Sequence, residues 1–300
     1  MRRILLALSV IAALAAPAPA GAKWDEGLGG STAAGPPPKR LDRNLGWVLS
    51  HPRIHNLFWH ANWDTNNPAF TRSQLNAFTA ALVSNGYLAG ASQYGVGSAK
   101  YAGFDRPSSL CGRRTPPATV TSLKVLAWVT CEVTKPGTGV PYPRSRSPIS
   151  NDVYVVYLPR STTISDNLTI PRFTIFGHTF GPWTLYARTS CVDYDGYHFL
   201  SFGGTSLFAY AVVTTSCARG IEDVTPVVSH ELVEVATDPV PTAGWIDDSI
   251  SIAPPTFNRL LKGEAADICS AAGAAPTPPV NNGSYWFAPY WSNRAAGCVS

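Results

Sequence analysis

Six cysteines, Cys111, Cys131, Cys191, Cys217, Cys269 and Cys298, constrain this 300-residue chain more than any other feature. What they can do depends on the redox compartment, and the N-terminus speaks to that. Arg2 and Arg3 precede an apolar run from Ile4 to Ala16. Small residues follow, with A-x-A patterns at Ala18-Pro19-Ala20 and Ala20-Gly21-Ala22. This is the pattern of a cleavable signal peptide over residues 1–22. The run is shorter than the ~20 residues of a spanning helix, and Pro17 and Pro19 interrupt its end. No later stretch approaches that length, so a secreted protein, extracellular or periplasmic and with no membrane span, is expected. An even cysteine count in an oxidising space predicts three disulfides. The sequential pairing 111–131, 191–217 and 269–298 closes a modest loop within each region and is the one expected. A cysteine-based zinc site finds no C-x-x-C spacing to support it.

Apolar residues at 45% and charged residues at 14% fit a well-packed domain and argue against disorder. The net charge of +4 is scattered, without a basic stripe interleaved with aromatics, so nucleic acid is not an expected partner. Residues 23–46, including Gly35-Pro36-Pro37-Pro38, read as a flexible Pro/Gly/Ala-rich extension, leaving one globular domain over 47–300. His55-Asn56-Leu57-Phe58-Trp59-His60 reads as a buried first strand. Thr71 and Gln74 form a capping box ahead of Leu75, Phe78, Leu82 and Val83 at helical spacing, and Asn85-Gly86 closes that helix. Residues 121–134 read as helix against the pull of their valines. Asp152 to Leu158 is an apolar strand stopped by Pro159, with further strands at 172–176, 197–202 and 208–214. A helix near 225–237 completes the pattern. The expected class is α/β, or α+β: a mixed sheet flanked by helices and stabilised by disulfides.

The chemistry concentrates in Ser229-His230-Glu231-Leu232-Val233-Glu234-Val235-Ala236-Thr237-Asp238-Pro239. A helix starting near Pro226 places His230 and Glu234 on one face, one turn apart. H-E-x-x-H zinc hydrolases use that spacing for two ligands, with the intervening Glu as base for the water the metal activates. Here the second histidine is Glu234. Its carboxylate can bind zinc, but an oxygen-rich set also suits calcium. Downstream, Glu264 and Asp267 at i, i+3 supply a third ligand and an outer-sphere carboxylate, respectively. The competing reading is that Glu231 and Glu234 are solvated surface charges. The apolar flanks Val227, Val228, Leu232, Val233 and Val235 oppose it, because a buried carboxylate needs a partner.

Other residues offer less. His198 could reach the same site as a ligand or oxyanion partner, or be a core histidine held by one hydrogen bond; we group it with Glu231 as a catalytic candidate. His60 and Asp64 fit a structural role at a strand end, His178 a loop, and Asp247-Asp248 a solvated turn. Asn167-Leu168-Thr169 and Asn282-Gly283-Ser284 are glycosylation sequons. No G-x-S-x-G elbow is present, and the cysteines are committed to disulfides.

The ordered motifs F-W-H-A-N-W, Y-L-A-G-A-S-Q-Y-G-V, V-Y-V-V-Y-L-P, C-V-D-Y-D-G-Y-H, S-H-E-L-V-E-V-A-T-D-P, G-E-A-A-D-I-C and Y-W-S-N-R-A-A-G-C span residues 47–300. In this order they resemble the phosphate-induced protein 1 family, also called Exordium-like. The resemblance implies a secreted α/β domain akin to metallopeptidases, and H-E-x-x-E followed by T-D-P as a family feature. It carries His230, Glu231, Glu234, Asp238, Glu264 and Asp267 over as site residues, and implies no settled activity. Two functions stay open. One is a secreted zinc- or calcium-dependent hydrolase acting on peptides. The other is a non-catalytic cell-wall or surface-binding protein with a structural metal site, whose Tyr285, Trp286, Tyr290 and Trp291 stack on sugars or pack on the core.

Overall fold

The computed structural model describes residues 40–43, 46–144, 149–170, 173–175, 178–180, 183–203, 206–240, 244–247, 263–270 and 277–300. The signal-peptide reading of residues 1–22 lies outside them, and so does Asp248. Ordered packing begins earlier than Gly46, however. Leu41 is buried, its N–H bonds to Asn293 Oδ1, and Asp42–Arg43 pairs with Trp245–Ile246.

Among the described residues, seven longer strands and three long helices set the architecture. They are β1 (Arg53–Phe58), α1 (Arg72–Ser84), β2 (Lys100–Asp105), α2 (Ser122–Thr134) and β3 (Ile149–Leu158). Then follow β4 (Thr163–Ile170), β5 (Trp183–Thr189), β6 (Gly196–Gly203), β7 (Ser206–Thr214) and α3 (Ile221–Thr237). The main sheet runs β6-β7-β3-β1-β2. β7, β3, β1 and β2 are parallel, and β6 alone runs antiparallel, joined to β7 as a hairpin. β4 and β5 pair antiparallel in a separate three-stranded sheet, with Thr119–Val120 running parallel to β4 on its other side. The class read from the sequence is therefore the one found: a mixed α/β structure with three disulfides, 111–131, 191–217 and 269–298. No described helix is long and apolar enough to cross a membrane.

β3 explains why the sheet is covered on both faces. Its side chains alternate, and every one from Asp152 to Leu158 is buried. Val153, Val155 and Tyr157 join α1 and α3 in one core, while Tyr154, Val156 and Leu158 join α2 in the other. A strand apolar on both faces needs helices on both sides, and three layers follow. α1 starts where the capping box places it: Thr71 Oγ1 accepts from Gln74 N–H and Gln74 Oε1 from Thr71 N–H, at 3.2 and 2.8 Å. The α2 reading also holds, with Thr121 as N-cap.

Two local expectations differ from the structure. α3 begins at Ile221, a turn and more before Pro226, which sits inside the helix. Glu222 and Asp223 explain the earlier start, since acidic residues in a first turn favour the helix dipole and Asp223 takes the Arg219 N–H at 2.7 Å. His178 opens a short strand, His178–Phe180, rather than lying in a loop. The tail is tied down as expected: Tyr290 and Trp291 are buried, Cys298 is bonded to Cys269, and Trp286 stays part-exposed.

Candidate metal centre

α3 is buried from Val224 to Thr237 except at Val227, its polar side chains included. One side packs on β6 and β7, the other on α1 and the Trp286–Phe287 strand. Its polar residues therefore face protein. His230, Glu231 and Glu234 are 5%, 1% and 1% exposed, which rejects the solvated-surface reading.

Two other segments complete the cluster. His198 projects from β6. Glu264 and Asp267 come from a turn that Asp247 N–H→Gly263 O and the Ile246–Glu264 bridge hold on one side. Trp291 N–H→Ala265 O and the Cys269–Cys298 disulfide hold it on the other. Glu234 is the hinge of the arrangement. Its Oε1 accepts from Asp267 N–H at 2.9 Å, and its Oε2 lies 3.2 Å from His230 Nε2 and 3.7 Å from His198 Nδ1. Asp267 Oδ1 stands 3.1 Å from His230 Nε2, so His230, Glu234 and Asp267 converge on one point. A second group, His198, Glu231 and Glu234, lies beside it.

The acid that groups with the helical pair is Asp267, whereas the spacing points to Glu264. Glu264 Oε1 sits 4.0 Å from His198 Nε2. Asp238 Oδ1 accepts Gly244 N–H at 2.7 Å and holds the turn after α3, its backbone oxygen takes His198 Nε2–H at 2.9 Å, and its charge helps to raise His198 and Glu264. Asp247, read as a solvated turn residue, is buried. His60 and Asp64 stay at the strand end: His60 Nδ1 accepts Asn62 N–H, and Asp64 pairs with Arg72. Gly196 has no signal in the sequence, yet a Cβ there would lie 2.8 Å from Glu231 Oε1.

Electrostatics set the demand on this cluster. Among the described residues the ion pairs of Glu231, Glu234, Glu264 and Asp267 are with His198 and His230 alone. Four carboxylates against two imidazoles leave at least two net negative charges if all ionise, buried where charge is costly. Burial, and then the neighbouring Glu234, raise Glu264 well above the carboxylate range and push Asp267 up to about 7. Burial also raises Glu231. Burial would lift Glu234 too, but His230 outweighs it and holds that group down. For both imidazoles burial acts downward and is overcome, by Glu231 at His198 and by Glu234 and Asp267 at His230, so both are raised.

Among the described residues, three buried polar atoms here find no hydrogen-bond partner: His230 Nε2, Glu231 Oε1 and Glu264 Oε1. Each such orphan costs about 1–3 kcal/mol. One divalent cation would satisfy His230 Nε2 and offset the excess negative charge, so the residues present fit a metal. Imidazole with carboxylates suits zinc, and the oxygen-rich set leaves calcium open.

No protein-family model, curated protein or solved structure matches this chain. What it does must therefore be argued from the cluster itself.

Proposed function

We propose that this chain is a secreted metal-dependent hydrolase of peptide bonds and a member of the phosphate-induced protein 1 family. His230, Glu234 and Asp267 hold the cation, zinc in the first instance. The observation that carries the reading is the convergence of these three buried side chains on His230 Nε2, which faces two carboxylates yet makes no hydrogen bond among the described residues, next to a Glu in the base position. A cation there would polarise a substrate carbonyl and acidify a water.

The chain's own residues supply the proton chemistry. Glu231 follows His230 on α3, and its buried Oε1 makes no hydrogen bond among the described residues, which leaves its lone pairs to accept a proton from the attacking water. Its Oε2 faces His198 Nδ1 at 3.3 Å, and His198 Nε2 donates to Asp238 O. A carbonyl can only accept, so Nε2 carries a proton and the ring orientation is fixed. His198 thereby steadies the carboxylate that takes the proton.

A second reading has an observation in its favour: every side chain of the cluster is at most 7% exposed. A closed centre is the mark of a structural site, and the protein would then be a non-catalytic cell-wall or surface binder. Metal content of the purified protein, measured beside Glu234→Ala, decides whether there is a centre. About one zinc per chain, lost in the variant, supports it; no metal after incubation with zinc or calcium overturns both readings. A peptide-library cleavage assay then separates them. Cleavage by wild type and its loss in Glu231→Gln supports the hydrolase, and metal without cleavage leaves the structural site.

A further inference from the structure

β2 forms the opposite edge of the sheet from His198, about 19 Å away at ~4.8 Å per strand step. Among the described residues no strand pairs with its outer side. Between that edge and α1 lies a groove of about 680 Å³, within the ~300–1,000 Å³ of ordinary binding sites. Exposed Lys100, Ala102 and Phe104 alternate along the strand with half-buried Tyr101, Gly103 and Asp105. Gly103 has φ +115°, and a Cβ there would meet nothing within 4 Å, so the strand carries a notch. Beyond Arg72 in its first turn, the facing helix presents short side chains to the groove, Ser73, Asn76, Ala77 and Ala80.

The charges of the groove are unequal. Asp64 is occupied by Arg72, which donates to it from Nε at 3.0 Å and Nη2 at 2.7 Å. Arg72 Nη1 is buried and makes no hydrogen bond among the described residues, and Arg106 lies exposed in the same lining. Two guanidinium groups against one carboxylate leave a net positive site.

We propose that this groove binds an extended acidic peptide, which adds to the sheet as a strand beside β2. An open main-chain edge is recognised by another main chain, and side chains on alternate positions give the selectivity. One ligand side chain enters the notch at Gly103, and a carboxylate meets Arg106. The site is independent of the buried cluster and stands or falls without it.

The test is fluorescence anisotropy on the full chain with three labelled octapeptides, alternating threonine–glutamate, threonine–lysine and proline–glutamate. The threonine–glutamate peptide binds, and the other two bind at least about tenfold more weakly, a difference of ~1.4 kcal/mol. Proline keeps the charge but removes the main-chain donors a ladder needs. Arg106→Glu and Ala77→Glu, both on the surface, weaken the threonine–glutamate peptide about fivefold or more while the melting temperature stays put. Equal binding of the proline–glutamate peptide overturns strand addition. Binding unaffected by either variant overturns the location, and no binding at millimolar peptide overturns the proposal.

Discussion

Gly196→Ala is the most demanding single test of the candidate centre, because it adds one methyl group and removes nothing. The new Cβ would stand 2.8 Å from Glu231 Oε1, 2.8 Å from Val227 Cγ1 and 3.0 Å from Glu231 Cγ. Carbon–carbon contacts are optimal near 3.5–4.0 Å, so all three are well inside. Both neighbours sit on α3, which is packed on the sheet and on α1 and cannot retreat without disturbing the core. Overpacking of this kind costs about 1–3 kcal/mol. For a chain of this size that lowers the melting temperature by roughly 2–4 °C per kcal/mol. Glu231 has the longer and more flexible of the two side chains and would give first, at the expense of its contact with His198, so any cleavage activity should fall further than stability does. Urea denaturation gives the stability change, and the same measurement in a Glu231→Ala background gives its origin. There two of the three close contacts are gone, and the alanine at 196 should cost less by about 0.5–3 kcal/mol, the usual range for coupled neighbours. A Gly196→Ala protein within about 0.5 kcal/mol of wild type, the scatter of harmless surface changes, would refute the packing argument. So would costs that simply add in the double variant.

Chelation should destabilise the wild type by about 2.7 kcal/mol if free metal stands at 100 times its dissociation constant. Glu234→Gln should show no chelator-dependent shift in differential scanning calorimetry, and an equal shift in both proteins counts against the centre. Glu132 is buried and accepts the Ser108 N–H, and burial raises its pKa to about 7 from 4.5. The folded state holds this proton more tightly than the unfolded chain, so its contribution is full below about pH 4.5 and is lost as pH rises through 7. Glu132→Gln should flatten that slope in urea titrations and be the more stable protein above pH 7; an unchanged slope refutes the assignment. Replacing both Cys269 and Cys298 by serine removes a bond spanning 29 residues, worth about 3–4 kcal/mol on the loop-entropy view. Because that bond pins the Asp267 turn, metal content should fall with it, and retention of full metal would show the turn is held by other contacts.

Much of the fold was legible because single segments carry their own signals. The capping box at Thr71 fixes the start of α1 locally, and the unbroken apolar run of β3 demands cover on both faces. The start of α3 was misplaced because Pro226 is a strong local sign of a first turn, whereas the contacts that extend the helix back to Ile221 involve Arg219 and Asp223 just outside it. At the centre, the i, i+4 pair His230 and Glu234 could be read from helix geometry. Which downstream acid would face His230 could not. Glu264 and Asp267 lie in a turn whose orientation is set by Asp247, Trp291 and Cys298, all distant in sequence. The second task of Asp238 was hidden for a similar reason: its position in the motif puts it next to the site but does not show that its Oδ1 also closes a turn on Gly244. Gly196 is silent in the sequence because its importance is the absence of an atom.

The two sides of the buried cluster are not equally able to move. α3 is enclosed by the sheet, α1 and the Trp286–Phe287 strand, so withdrawing His230 or Glu234 would open much of the larger core. β6, which carries His198, has one strand neighbour among the described residues and lies at the rim of the sheet. Segments at such rims open at a fraction of the free energy of global unfolding. If a substrate reaches this centre, the door is the His198 strand, and hydrogen exchange should find its amides among the least protected in the sheet while those of α3 are among the most.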